Sequence, residues 1–277
     1  MSRTGVTLVL SGGGAKSAAH VGAARALEEA GLAPVRYVAT SMGAVVAAAL
    51  AGGSDRDTLL ARLASVGRAG ISKEPLAFLR GLFAPSLLRA APFRRAVEQL
   101  VAARRFAELA VPITVSVVDL DTGELLLFGE GGEDAPLVDV LCASCALPMY
   151  YPPVPLAGRR CGDGGLRGPL PLEVAARLAR ETVVAVDVGP GFDAAGGGPP
   201  VSAPPLVRAH DDAVGALMAQ TTAAQLALWR TDPSRPALVY VRPRVGRDAT
   251  FRVDRVLRYA DDGYTAAREA LSAAGRP

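Results

Sequence analysis

Three short segments of this 277-residue chain combine glycine with a residue that can react or bind an anion. They are Gly12-Gly13-Gly14-Ala15-Lys16, Ala39-Thr40-Ser41-Met42-Gly43 and Asp163-Gly164-Gly165. A hydroxyl, a carboxylate and consecutive backbone N–H groups are what acyl transfer through a covalent serine intermediate requires. Each segment alone also has a plainer structural interpretation, so their combination carries the prediction.

Ser41 lies between a predicted strand and a predicted helix, where a sharp turn would point its hydroxyl into a cleft. The helix N-terminus at Met42 and Gly43 would favour developing negative charge. Ala39 replaces the first glycine of the usual G-x-S-x-G pattern, which is acceptable at ordinary dihedrals and strained at positive φ. Alternatively, Ser41 only caps the helix.

The glycine run follows a predicted strand, so the N–H groups of Gly12, Gly13 and Gly14 are able to face an anion. One interpretation is an oxyanion hole. A nucleotide phosphate loop is disfavoured, because Walker A glycines are replaced by Leu10 and Ala15. Lys16 would hold the loop or attract an anionic substrate, or else be a solvated lysine at a helix start.

Asp163 is the candidate base that takes the proton from Ser41, with Gly164 and Gly165 supporting its loop. By itself the segment is equally typical of a turn. A triad would need a histidine, and the order Ser41, Asp163, His210 matches that of α/β-hydrolases. His210 lies beside two aspartates on a polar helix face, which favours a solvated or capping role.

In order and combination, the three segments resemble those of the patatin-like phospholipases, close to the small bacterial proteins related to the neuropathy target esterase domain. The resemblance spans about residues 5–190, and Ala39 and Ser17 depart from it, each replacing a glycine. Flanking segments also agree: His20-Val21-Gly22, Ala143-Ser144-Cys145-Ala146-Leu147-Pro148, Tyr151-Pro152-Pro153 and Pro169-Leu170-Pro171.

The resemblance implies a serine lipid acyl hydrolase that acts through a Ser41–Asp163 dyad without histidine and forms an acyl-enzyme. The expected substrate is a lipid or fatty-acyl ester, with no metal, cofactor or nucleic-acid partner. A thioesterase or acyltransferase using the same serine remains an alternative. A non-catalytic adaptor of the same fold is the alternative among proteins that are not enzymes. It stays open because Ala39 replaces a glycine beside the expected nucleophile.

Hydrophobic patterning predicts an α/β fold, with three α/β/α layers around a mainly parallel sheet. The chain is expected to form one domain, 1–277, with a motif-bearing core at about 5–190 and a helical cap at about 55–109, broken near Pro75, Pro85 and Pro92. Nine large apolar residues crowd the cap and would line an acyl channel or form ordinary core: Ile71, Leu76, Phe78, Leu79, Leu82, Phe83, Leu87, Leu88 and Phe93. The predicted elements are strands at 6–10, 35–39, 113–118, 124–128, 183–188 and 237–241, and helices at 17–30, 42–50, 136–146, 172–180, 206–230 and 253–274.

Composition sets the remaining expectations. The formal net charge of +3 neither requires nor excludes anionic partners, and no apolar run is long enough for a membrane span. Three cysteines and no predicted secretory leader favour the cytosol. Cys142 and Cys145 form C-x-x-C, but a second ligand pair for zinc is missing.

Two groups of arginines could bind acidic membrane lipids in a transient contact, or could simply form a solvated face. They are Arg89, Arg94 and Arg95, and Arg242, Arg244 and Arg247.

Overall fold

A mainly parallel sheet forms the centre of the molecule in the computed structural model, which describes residues 3–70, 86–190, 204–246 and 252–275. Its strands are β1 (Thr4–Leu10), β2 (Leu32–Thr40), β3 (Ile113–Asp119), β4 (Leu125–Gly129), β5 (Val154–Leu156), β6 (Arg159–Asp163), β7 (Val183–Val186) and β8 (Leu238–Val241). They run in the order β5-β6-β3-β2-β1-β7-β8, with β4 beside β3. Adjacent members of the set β3, β2, β1, β7 and β8 are parallel, while β4, β5 and β6 pair antiparallel.

Helices cover both faces of this sheet. The helices are α1 (Ala18–Glu29), α2 (Ser41–Ala51), α3 (Arg56–Gly70), α4 (Ala90–Leu100), α5 (Leu137–Ser144), α6 (Leu172–Leu178), α7 (Pro205–Thr231) and α8 (Val256–Ala273). One hydrophobic core joins the sheet to α1, α2, α5 and α8, and a second joins its opposite face to α6 and α7. The expected α/β class with a mainly parallel sheet is therefore confirmed.

One edge of β3 is shared end to end by β2 and β6. β2 pairs with β3 as far as the partners Thr40 and Ser116. The pairing of β6 with β3 takes over at the next residue of β3, where Val117 is the partner of Asp163, the last residue of β6. Since β4 pairs with β3 along 114–118, β2 and β6 must both occupy the other edge. The carboxyl end of β6 therefore meets the carboxyl end of β2.

Most predicted elements are confirmed within one to four residues at their ends. The β5–β6 hairpin was not predicted from the sequence, because Pro152, Pro153 and Pro155 make this stretch rich in a residue that strands disfavour. The cap is less helical than predicted, since residues 101–105 form neither helix nor strand. Pro92 lies inside the first turn of α4, where its missing N–H has no intrahelical acceptor to lose. Residues 71–85, with Pro75, Pro85 and most of the proposed acyl channel, lie outside the described residues.

The C-terminal helix α8 packs against α1 with almost no space between the backbones. A Cβ on Gly22 would lie 1.8 Å from the carbonyl oxygen of Ala260, and one on Gly263 would lie 2.0 Å from that of Ala19. The two helices can approach this closely only because the residue at each contact point is a glycine, with a hydrogen in place of a side chain. α8 thus supports the helix that follows the glycine run. Among the helices of the described chain, none is long and apolar enough to cross a membrane.

Gly22→Ala should lower the free energy of unfolding by about 2 kcal/mol or more, because the new methyl group must push α1 and α8 apart. Urea unfolding measures the change. Leu257→Ala on the exposed side of α8, where Leu257 is 65% exposed, should stay within about 0.5 kcal/mol of wild type. Equal stability of Gly22→Ala and wild type would contradict the close helix contact.

Candidate active site

Ser41 is the first residue of α2 and has a φ of 53°, in the left-handed region that non-glycine residues rarely adopt. Ala39 is not among the non-glycine residues with positive φ in the described chain, so its methyl group is not strained. Gly43 permits the sharp turn, since a Cβ there would lie 2.3 Å from the carbonyl oxygen of Ser11. The strand–turn–helix geometry predicted for the nucleophile is present.

The hydroxyl of Ser41 donates a hydrogen bond to Oδ2 of Asp163 at 2.8 Å. The other carboxylate oxygen, Oδ1, accepts from the N–H of Gly165 at 2.7 Å. Asp163 ends β6 and Ser41 follows β2, so the shared edge of β3 brings together residues 122 positions apart. A hydroxyl bonded directly to a carboxylate is the arrangement that a serine–base pair needs.

Burial changes the acidity of Asp163, which is 5% exposed. Loss of hydration raises the pKa of its carboxyl to about 6, although the bonds from Gly165 and Ser41 oppose the shift. The carboxylate is therefore a stronger base than a solvated aspartate, yet is still mostly ionised at neutral pH. This is the range in which a general base operates efficiently.

The glycine run lies directly on the nucleophile. A Cβ on Gly12 would be 3.0 Å from Cβ of Ser41. The N–H of Gly12 already donates to the carbonyl oxygen of Pro169 at 2.9 Å, so of the three expected donors Gly12 fixes the loop. No acceptor within the described residues takes up the N–H of Gly13 or Gly14. Those two amides are the ones left to face a substrate oxygen.

Ser11 fastens the glycine run to the sheet. Its N–H donates to Val186 at the end of β7, and its hydroxyl accepts from the N–H of Val188 at 2.8 Å. The ring of His20, completely buried in α1, lies 2.8 Å from the Ser11 carbonyl oxygen through Nε2. Burial lowers the pKa of His20 to about 4, so the ring is neutral and donates from Nε2. His20 thus supports the loop that contains the glycine run.

The remaining predicted site residues surround the pair. Lys16 is 3% exposed and interacts within the protein, so it is not a solvated lysine. Met42 continues the first turn of α2 and packs on the core. Gly164 must lack a side chain, because a Cβ would lie 2.3 Å from the Ser116 carbonyl oxygen and 2.5 Å from the Thr40 hydroxyl.

Sequence reasoning gave no role to the end of α5, which contacts both members of the pair. The N–H of Ser41 donates to the hydroxyl of Ser144 at 2.8 Å, and the N–H of Asp163 donates to Ala146 at 3.0 Å. Cys145 lies between them along the chain, and burial raises the pKa of its thiol well above the ordinary value. The only signal in the sequence was the A-S-C-A-L-P run itself.

His210 is not part of this arrangement. Its Nδ1 lies 3.2 Å from Oδ1 of Asp211, on the same helix, and its ring meets Tyr150 edge-on. The acceptor of the Ser41 hydroxyl is Asp163 itself. The serine and the aspartate therefore pair directly, and the alternative triad finds no support in the described geometry.

Other features that the sequence suggested lie apart from the pair. Within the described residues, no three or more His, Cys, Asp or Glu side chains cluster as a metal site requires, and Cys142 and Cys145 are buried free thiols. Arg94 is ion-paired with Glu98 and Asp139, and Arg242 with Asp187, so neither is a free cation for lipid headgroups. Phe93 stacks on Tyr151 at 4.8 Å, which links the described part of the cap to the segment before β5.

An open cleft of about 470 Å³ lies elsewhere, between the end of α6 and the loop that joins α7 to β8. Its lining includes Arg180 and Pro236, which precede β7 and β8 and so mark the amino edge of the sheet. Ser41 and Asp163 lie at the carboxyl ends of β2 and β6. In parallel sheets, ligands bind outside the carboxyl ends, so the cleft is not the candidate site.

The family model described as patatin-like phospholipase matches residues 8–176, which include all three glycine-containing segments. The chain therefore belongs to the patatin-like phospholipase family. Membership supports a lipid-hydrolase activity in general terms.

Relatives agree with this assignment. An uncharacterised NTE family protein of Mycobacterium bovis is 32% identical over 195 residues, covering 68% of this chain and 52% of that protein. Patatin-like phospholipase domain-containing protein 6 of Mus musculus is 30% identical over 188 residues, covering 66% and 13%. The chain thus spans about half the length of the mycobacterial relative.

The crystal structure of VipD from Legionella pneumophila is similar to this structure with a TM-score of 0.47 at 15% identity. The comparison covers 99% of this chain and 67% of that one.

The raised pKa of Asp163 predicts a pH-dependent penalty on folding. The folded protein binds this proton more tightly than the unfolded chain, so stability falls as pH rises from about 4 to beyond 6. Asp163→Asn should remove the penalty and raise the free energy of unfolding by up to about 3 kcal/mol at pH 8, and by much less at pH 4.

Urea unfolding of both proteins at the two pH values measures this difference. Asp232→Asn is the matched control, because its bonds from Ser234 and Arg235 hold the pKa of Asp232 below its ordinary range. That variant should gain no stability at pH 8. An Asp163→Asn protein that gains equally at both pH values, or gains nothing, would contradict a buried and largely ionised carboxylate.

Proposed function

We propose that the protein hydrolyses carboxylic esters of lipids through an acyl-enzyme on Ser41, with Asp163 as the base. The observation that carries the proposal is the 2.8 Å hydrogen bond from the Ser41 hydroxyl to the buried carboxylate. Family membership supports a lipid substrate. The ordinary backbone at Ala39 supports the enzyme over the non-catalytic adaptor that this residue had kept open.

In the first half-reaction, Ser41 Oγ attacks the ester carbonyl carbon while its proton passes to Oδ2 of Asp163. The carbonyl oxygen becomes an oxyanion, which accepts hydrogen bonds from the N–H groups of Gly13 and Gly14 in this proposal. The N–H of Met42, in the first turn of α2, lacks an intrahelical acceptor and favours the same charge. The intermediate collapses, the alcohol leaves with the proton from Asp163, and the acyl group remains on Ser41.

In the second half-reaction, water attacks the acyl-serine carbonyl and gives its proton to Asp163. Collapse of the new tetrahedral intermediate breaks the ester to Ser41, which recovers the proton as the fatty acid leaves. The same carboxylate acts in both halves, so a histidine relay is not needed. Burial suits this role, since a carboxylate whose pKa is about 6 takes a proton more readily than a solvated one.

Ser41→Ala and Asp163→Asn should each lower esterase activity at least about 10³-fold, because one removes the nucleophile and the other its base. His210→Ala should keep wild-type activity, since His210 is bonded to Asp211. A p-nitrophenyl fatty-acyl ester and a fluorophosphonate probe supply the two measurements. Label should reach Ser41 in wild type and His210→Ala, and a folded wild-type protein that takes no label and hydrolyses no ester would favour the adaptor.

Activity should also fall on the acid side, about tenfold per pH unit below an apparent pKa near 6, as protonation removes the base. The pH dependence of kcat/KM reports this limb for the free enzyme. A histidine ordinarily titrates in the same range, so His210→Ala is the control and should keep the limb in place. Loss of the limb in that variant would assign the base to His210 and contradict the dyad.

A further inference from the structure

The Ser144 hydroxyl joins three elements around the nucleophile. It belongs to the last residue of α5, accepts from the N–H of Ser41 at 2.8 Å, and donates to the carbonyl oxygen of Ser116 on β3 at 2.8 Å. Ser144 is fully buried. Both partners of the hydroxyl are backbone groups where the carboxyl ends of β2 and β6 meet along β3, so the hydroxyl bonds to the junction that brings Ser41 and Asp163 together.

Ser41 needs such a restraint. A non-glycine residue in the left-handed region costs on the order of 1–3 kcal/mol and keeps that conformation only when its surroundings enforce it. Its N–H is satisfied by Ser144, whose orientation is fixed by the bond to Ser116. Without the hydroxyl, the part-buried N–H of Ser41 and the buried carbonyl of Ser116 lose this partner, and Ser41 is free to relax toward an ordinary φ. Relaxation would carry Oγ away from Asp163.

The same short segment also holds the base. Ala146, two residues beyond Ser144, accepts from the N–H of Asp163 at 3.0 Å. One turn at the end of α5 therefore holds the backbone of the nucleophile through a side chain and the backbone of the base through a carbonyl. A shift of this turn would change the distance between the two reacting groups.

We propose that Ser144 is a positioning residue for the dyad, whose hydroxyl holds Ser41 in its strained conformation so that Oγ stays against Asp163. The inference rests on the proposed function, because it assigns Ser144 a role in the same reaction. Ser144 does not touch substrate in this proposal. It acts through the Ser41 backbone.

Ser144→Ala is the variant that tests it. We expect kcat for a p-nitrophenyl fatty-acyl ester to fall about 10- to 100-fold, with KM nearly unchanged, because misplacement by about 1 Å is enough for such a loss. The acid limb of kcat/KM should move to higher pH, since the Ser41 hydrogen bond that lowers the pKa of Asp163 is weakened. Ser144→Thr keeps the hydroxyl and should recover much of kcat and the wild-type limb.

Thr114→Val is the matched control for lost stability. The Thr114 hydroxyl is also buried on β3 and donates to a backbone carbonyl, that of Glu130, at 2.6 Å. This variant should lose comparable stability in urea while keeping kcat and the acid limb. If Ser144→Ala behaves as Thr114→Val does, Ser144 is merely structural and the proposal is overturned.

Carboxyl ¹³C NMR titration keeps the positioning claim separate from the proposed function, because it needs no substrate. The Asp163 signal, assigned by its absence in Asp163→Asn, should titrate at higher pH in Ser144→Ala than in wild type. If wild type neither hydrolyses esters nor takes the fluorophosphonate, the proposed function fails, while this shift would still support Ser144 as the holder of the Ser41–Asp163 contact. An unshifted titration overturns the positioning claim even when wild type is active.

Discussion

The site depends on one feature of the sheet, which is the division of a single edge of β3 between β2 and β6. β2 ends at Thr40, opposite Ser116, and β6 begins its pairing one residue later, where Asp163 lies opposite Val117. Strand pairing thus places the start of α2 against the end of β6. A displacement of either register by one residue would turn every side chain of that strand to the other face and separate the pair.

The pair combines two unfavourable features that a protein selected only for stability would avoid. Ser41 has a left-handed backbone, and Asp163 is a buried carboxylate whose pKa is raised by loss of hydration. Both features suit the proposed chemistry, since one exposes the hydroxyl and the other makes the carboxylate more basic. Packing around them is correspondingly tight: a side chain on Gly43 or Gly164 would collide with backbone atoms, and a Cβ on Gly12 would lie only 3.0 Å from that of Ser41.

Much of this was predictable from the sequence, because glycine spacing and hydrophobic runs report local structure. The parallel strands, the sharp turn at Ser41 and the choice of Asp163 over His210 follow from residue types together with the family resemblance. Long-range pairing was not predictable in the same way. The β5–β6 hairpin lies in a proline-rich stretch, the bond of the Gly12 N–H to Pro169 spans 157 positions, and Ser144 acts on a residue 103 positions away.

The proposed function depends on acylation of Ser41 with Asp163 as its base, and trapping the acyl-enzyme would show that step itself. The protein would be mixed with a p-nitrophenyl fatty-acyl ester, quenched in acid within the first turnover and digested for mass spectrometry. We expect an acyl group on the peptide containing Ser41 in wild type and none in Asp163→Asn. An acyl group on another residue, or turnover with Ser41 unmodified at every quench time, would contradict it.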